Sequence, residues 1–187
     1  MNINAVYDAG AVRRFHTVAD YSGGGLQSVA EHSWGVALIF AELYREVVGG
    51  GTVPADVLMH CLTHDVGESV TGDIPATTKW RFDKLADAVE DAERIALEDM
   101  GVLFQRRITT LEESVFKWAD GLECYAYAQR RALAGSPEYR KVAQRLLIAF
   151  EGFPALPAAL KMLAELTLPE FHEQAIFRGE QICQALT

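Results

Sequence analysis

The residues best suited to chemistry are the adjacent pair His64-Asp65, in Leu62-Thr63-His64-Asp65-Val66-Gly67-Glu68. An imidazole nitrogen beside a carboxylate oxygen suits a first-row divalent cation such as Mn²⁺, Fe²⁺, Co²⁺, Ni²⁺ or Zn²⁺. Read as part of a helix, the two side chains point about 100° apart and can still converge on an ion lying between them. Two ligands are too few for a tight site, so others must come from elsewhere in the chain. His32, in Ala30-Glu31-His32-Ser33-Trp34, is one candidate, and Asp120, in Phe116-Lys117-Trp118-Ala119-Asp120-Gly121, is another. Asp120 stands in a largely apolar stretch, where an unpartnered carboxylate is costly. Two histidines and two aspartates would leave positions on an octahedral ion for water and a substrate oxygen. His60 and His64 also have the spacing of a two-histidine helical motif, but Cys61 stands where that motif needs glutamate. His60 therefore reads as a core or supporting histidine. His16 is open between a substrate contact and a surface histidine, and His172 reads as surface.

The elements that must carry these residues are helices. Ser28 with Glu31 is a capping-box pattern opening a helix over 28–48, with Val29, Val36, Ile39, Phe40 and Leu43 on one side. Pro54 suits the first turn of a second helix running through His64 to about residue 70. Thr71-Gly72-Asp73-Ile74-Pro75 breaks it. A third, strongly charged helix spans 78–100 and stops at Gly101. Thr109 with Glu112 opens a fourth, and 108–133 reads as one long helix or two. Ser136-Pro137 caps a fifth reaching residue 150, with shorter helices over 157–166 and 169–186. No alternating apolar–polar stretch is long enough for a strand. The expected fold is all-α, a single domain of residues 1–187 built as a bundle of about six or seven helices. Trp34, Trp80 and Trp118 read as core.

Composition narrows the function. The 187 residues suit one domain with a sizeable core, and a net charge of −9 argues against nucleic acid or an acidic membrane as partner. It does not exclude small anionic substrates, because a bound metal inverts the local field. Cys61, Cys124 and Cys183 are widely spaced and read as free buried thiols in a reducing cytoplasm. The first ten residues have no basic region and no long apolar stretch, so neither a signal peptide nor a membrane span is expected.

A lone His-Asp pair arises by chance in roughly 20% of chains this size, so the weight rests on the combination. The order His32, His64-Asp65, Asp120 resembles the H…HD…D signature of the HD-domain superfamily of helical, metal-dependent phosphohydrolases. Val29-Ala30-Glu31-His32-Ser33, His64-Asp65-x-x-Glu68 and Thr71-Gly72-Asp73-Ile74-Pro75 resemble the branch of bacterial 5′-deoxynucleotidases and small phage dATP triphosphohydrolases. The resemblance implies one divalent cation (Co, Mn, Zn, Ni, Fe or Mg) on His32, His64, Asp65 and Asp120. It implies Glu68 as the base that activates water, and Asp73 as a residue contacting the deoxyribose or the leaving side. Arg14 and Lys79 match phosphate-binding positions, and only the resemblance separates Arg14 from Arg13. Phe15 stands where the bacterial branch has Trp, and an aromatic there would pack on the nucleotide. Base preference would follow the shape around Phe15 to Thr17 and Ile74-Pro75. The compact block Gly10–Thr17 looks more like the phage enzymes, so the expected activity is cleavage of dATP to deoxyadenosine and triphosphate. A 5′-deoxynucleotidase acting on monophosphates is the alternative, and a catalytically silent nucleotide sensor a third reading. A homo-oligomer is expected, as bundles of this type often are.

Overall fold

The computed structural model describes residues 1–79, 81–102 and 107–173. In chain order these form α1 (Ile3–Ala9), α2 (Val29–Val47), α3 (Ala55–Thr63), α4 (Glu68–Thr71), α5 (Ala76–Lys79), α6 (Asp83–Asp99), α7 (Thr110–Leu133), α8 (Tyr139–Ala149) and α9 (Pro157–Leu166). Single 3₁₀ turns follow α8 and α9, and no strand occurs among the described residues. No described helix is long and apolar enough to cross a membrane.

The two longest helices start where the sequence says they should. Ser28 accepts from the Glu31 N–H while the Glu31 carboxylate accepts from the Ser28 N–H, and Thr109 and Glu112 do the same for α7. Each pair satisfies two backbone donors that a helix start leaves without partners. Helix α2 then lies along α7, and α3, α8 and α9 close around them. Phe40, Leu43, Trp118, Leu122, Tyr125, Tyr139, Leu147 and Phe150 form the fully buried centre. Trp118 stacks on Phe150, with ring centroids 5.0 Å apart, and its indole N–H donates to the Pro154 carbonyl at 2.7 Å. Burial of that large ring therefore leaves no polar atom unmatched.

Several expectations change. The helix expected to run to residue 70 ends at Thr63, passes through a turn at 64–67 and restarts as α4. Residues 108–133 form one helix from Thr110. Ser136 does not cap α8, because its hydroxyl accepts from the Tyr21 and Ser22 N–H groups and donates to Asp20. Trp34 is not core: it is 64% exposed on the outer face of α2. Trp80, Cys183 and nearly all of the helix expected over 169–186 lie outside the described residues. The sequence reading missed α1, a two-turn helix capped by Asn2.

Gly67 is where the turn at 64–67 meets α6. A Cβ placed on it would lie 2.7–2.8 Å from the Cβ, O and Cα of Glu93. Two of those atoms are backbone, so relief requires moving α6. Gly67→Ala is expected to cost about 1–3 kcal/mol, the usual range for overpacking, read as a lower urea midpoint with an unchanged slope.

Candidate metal centre and active site

The turn at 64–67 sets the site. Its amide bonds tighten to the i→i−3 pattern: Val66 N–H donates to the Thr63 carbonyl, Glu68 to Asp65, Ser69 to Val66 and Val70 to Gly67, at 3.0–3.2 Å. In this geometry residues three apart eclipse one another, so Asp65 and Glu68 are brought to one side. The His64 Nδ1 lies 2.9 Å from the Cys61 carbonyl, a contact that places the proton on Nδ1 and leaves Nε2 facing inward. That Nε2 is 3.2 Å from Asp65 Oδ1.

His32 enters from the first turn of α2 and is completely buried. Its Nε2 lies 3.1 Å from Asp120 Oδ1 and 3.5 Å from Asp65 Oδ2. Ligand atoms of His32, His64 and Asp120 all fall within 4.8 Å of one another. Neither histidine Nε2 has a hydrogen bond, although both are buried. A buried polar atom normally has a partner. Two imidazole lone pairs without one, converging on carboxylate oxygens, are what a cation would satisfy. The residues present therefore fit a divalent metal: His32, His64 and Asp120 form the cluster, and Asp65 stands beside it, contacting both histidines and Arg14.

A second cluster, His32 with Glu123 and Cys124, also has its ligand atoms within 4.8 Å. It is a poorer seat. Its imidazole nitrogen, His32 Nδ1, is already hydrogen-bonded to Glu123 Oε2, and Arg14 Nη2 lies 3.5 Å from the Cys124 Sγ. Burial pushes the Cys124 thiol well up, which keeps it protonated and a weak ligand.

Charge in the first cluster is crowded. Burial and then the Asp65 charge push the Glu68 carboxyl up to about 8. Burial likewise raises Asp120. Burial also acts upward on Asp65, but His64 and Arg14 outweigh it and hold that carboxyl below its ordinary range. Burial depresses His64, and the Asp65 contact outweighs it. Beside it, burial and the field of His64 lower His60 to about 4. His60 is thus a neutral ring set edge-on against Phe116, whose other neighbour is His64.

Of the residues expected to meet substrate, Arg14, Phe15 and Asp73 are linked by contacts. Residues 12–14 pair with 27–29, through Arg14 N–H to the Gln27 carbonyl, Val29 N–H to the Val12 carbonyl and the Arg13–Ser28 bridge. This ladder points Arg14 inward, with Nη1 3.2 Å from Asp65 Oδ2, and leaves Arg13 exposed beside Glu31. The geometry thereby separates two arginines that composition could not. Phe15 follows with φ +58°, unusual for a residue with a Cβ. Its N–H donates to Asp73 Oδ2 at 2.7 Å, and its half-buried ring stacks on Tyr127 at 5.3 Å. Asp73 also lies 3.9 Å from His16 Nδ1, so the 71–75 loop is tied to the N-terminal segment. Pro75 is half-buried and Thr17 exposed. Lys79, on α5, lies 3.5 Å from Glu93. His172 is exposed, with Nε2 near the Thr167 carbonyl. The sequence reading missed Glu123, whose Oε2 is 2.5 Å from His32 Nδ1. Its signal was present as Asp120-x-x-Glu123, a spacing that puts both carboxylates on one face of a helix.

A family model described as "5'-deoxynucleotidase YfbR-like" matches residues 21–171. That span includes His32, His64, Asp65, Glu68, Asp73 and Asp120 and begins after Arg14 and Phe15. The 5'-deoxynucleotidase YfbR of Escherichia coli strain K12 is 24% identical over 162 residues, covering 78% of this chain and 80% of that protein. Among solved structures, a conserved hypothetical protein from Pyrococcus furiosus aligns with a TM-score of 0.68 at 24% identity, over 88% of this chain and 96% of its own. The cyanophage S-2L HD phosphohydrolase DatZ, bound to dA and one catalytic Zn²⁺, aligns with a TM-score of 0.58 at 17% identity, over 98% of both chains.

Proposed function

Because this chain belongs to the YfbR-like 5'-deoxynucleotidase family, we propose that it hydrolyses the 5′-phosphoester of 2′-deoxynucleotides, with monophosphates as substrates. The carrying observation is the pair of buried, unbonded His32 and His64 Nε2 atoms facing Asp65 and Asp120, with Glu68 three residues after Asp65. A divalent cation on those four residues would acidify water and neutralise charge on a phosphoryl oxygen. Glu68 takes the proton of the attacking water, at a buried carboxylate oxygen, Oε2, that has no other hydrogen bond. Arg14 keeps Nε without a hydrogen-bond partner, its Nη1 being ion-paired with Asp65, and can donate Nε to a non-bridging oxygen. Lys79 adds positive charge that acts on Asp65, Glu68 and Asp120. Asp73 holds the Phe15 amide and so shapes the wall against which a deoxyribose would rest.

The preference for a single phosphate is argued from charge. Among the described residues Arg14 and Lys79 are the lysine and arginine side chains whose charge acts on Asp65, Glu68 and Asp120, beside His64 on Asp65 and Asp120, and each already has a carboxylate neighbour. That supply suits one phosphoryl group better than three. The second reading, dATP cleaved to deoxyadenosine and triphosphate, has its own support in the end-to-end coverage of the phage HD phosphohydrolase. A panel of dNMP, dNDP and dNTP with Mn²⁺, Co²⁺ or Zn²⁺ separates them. The expected result is orthophosphate and deoxynucleoside from dNMP. Triphosphate released from dATP alone would establish the second reading, and an inert panel would overturn both. The homo-oligomer expected from the sequence is kept as a proposal. Trp34 and Leu38, 64% and 53% exposed one turn apart on α2, offer it an apolar face, and sedimentation velocity would read the subunit number.

A further inference from the structure

We infer that Glu123 is a positioning residue for His32, fixing the tautomer and aim of that imidazole so that its Nε2 lone pair is presented to the metal; this rests on the metal-centre reading above.

His32 has no exposed surface, so nothing in solvent orients its ring. Its Nδ1 faces Glu123 Oε2 at 2.5 Å. A carboxylate can only accept, and of the ring's carboxylate contacts only the one at Nδ1 has hydrogen-bond geometry, so the proton is placed on Nδ1 and the lone pair on Nε2. Glu123 is in turn held. The Gln27 side-chain N–H donates to Oε1 at 2.6 Å, and the Gln27 backbone N–H donates to the Tyr127 hydroxyl at 3.0 Å. Both carboxylate oxygens are thus engaged. Helix α2 makes room for this carboxylate at Gly35, where a Cβ would come within 2.7 Å of Glu123 Cγ and 3.2 Å of Oε1. The helix that carries the ligand is therefore shaped to admit the group that orients it.

His64 makes the contrast. Its Nδ1 partner is a neutral backbone carbonyl, that of Cys61. An anionic acceptor makes an imidazole a stronger ligand than a neutral one does, and losing such a partner commonly costs 10–100-fold in metal affinity. His32 is accordingly the stronger donor of the two.

The test uses the full chain without substrate. Nitrogen-detected NMR of the metal-free protein should show His32 in the Nδ1–H tautomer. Titration with Mn²⁺ and Zn²⁺ against a chelating dye should show Glu123→Gln binding 10–100-fold more weakly, with circular dichroism unchanged and mixed His32 tautomers. Glu123→Asp, charged but one methylene shorter, should recover part of the loss. An Nε2–H tautomer in the wild type would overturn the inference without any variant having to fold. So would equal metal affinity in wild type and a folded Glu123→Gln. A wild type that binds no divalent cation would instead sink the metal-centre reading itself.

Discussion

Glu68→Gln is expected to lower turnover about 10²–10⁴-fold, the contribution typical of a general base, while the protein still binds its cation. Glutamine keeps the shape of the side chain and loses only the ability to take a proton. The four expected ligands, His32, His64, Asp65 and Asp120, are untouched, so the metal titration should match that of the wild type. Wild-type kcat/KM should rise with pH, because the carboxyl must ionise to act. In the metal-free protein that carboxyl sits near 8, against an ordinary value of 4.5. A bound cation pulls it back down, so the acid limb belongs between those two values and should vanish in the variant. The stability effect has the opposite sign. A carboxyl whose pKa is raised on folding destabilises the fold as pH rises from 4.5 towards 8. Glutamine has no such loss, so metal-free Glu68→Gln should melt above the metal-free wild type at pH 8. A variant that hydrolyses at the wild-type rate would remove Glu68 from the mechanism.

Asp120→Asn should separate stability from function in the same way, through the metal. In the wild type, cation at 100 times its dissociation constant should stabilise the fold by about 2.7 kcal/mol. For a chain of this size that is about 5–10 °C in Tm. Asp120 is half-buried near Asp65, and burial, with the Asp65 charge, raises its pKa. Asparagine relieves that crowding but surrenders the anionic oxygen nearest His32 Nε2. The expected result is a metal-free Tm at or above wild type, a metal-induced rise that largely disappears at the same concentration, and loss of hydrolysis. Scanning calorimetry with and without Mn²⁺ reads the first two. A full metal-induced rise in the variant would exclude Asp120 as a ligand.

The legible parts of the molecule are those written in local chemistry. Ser28–Glu31 and Thr109–Glu112 are complete capping boxes within four residues, and both structures form. Gly101 marks the end of α6 and has φ +69°. The ordered motifs named His32, His64, Asp65 and Asp120, of which His32, His64 and Asp120 cluster with Asp65 beside them, although no spacing along the chain encodes the crossing of α2 and α7. The break after Thr63 was not legible. Residues 62–70 have a continuous helical pattern, and it is the close approach of Gly67 to Glu93, a contact distant in sequence, that accompanies the tightened turn. Ser136 misled for a similar reason. Its hydroxyl is a good cap in isolation, but Asp20, Tyr21 and Ser22 from the far end of the chain claim it. Trp34 shows the limit of residue-type reasoning, since a large aromatic is no guarantee of burial. Arg13 and Arg14 became distinguishable only when the pairing of 12–14 with 27–29 gave one an inward and the other an outward side.

That short ladder also says something about how relatives of this protein can diverge. It joins the segment bearing Arg14 to the start of the helix bearing His32, so the two are held at a fixed separation whatever happens between them. Residues 15–26 leave and return at the same place, and Asp20 is pinned independently by Arg131 and Ser136. Within that segment Gly24 is constrained, since a Cβ there would lie 2.6 Å from Arg131 Nη1, whereas nothing stands within 4 Å of a Cβ at Gly23 or Gly25, whose positive φ still favours glycine. A change elsewhere in residues 15–26 can therefore alter the surface beside Phe15 while Arg14 keeps its place relative to His32.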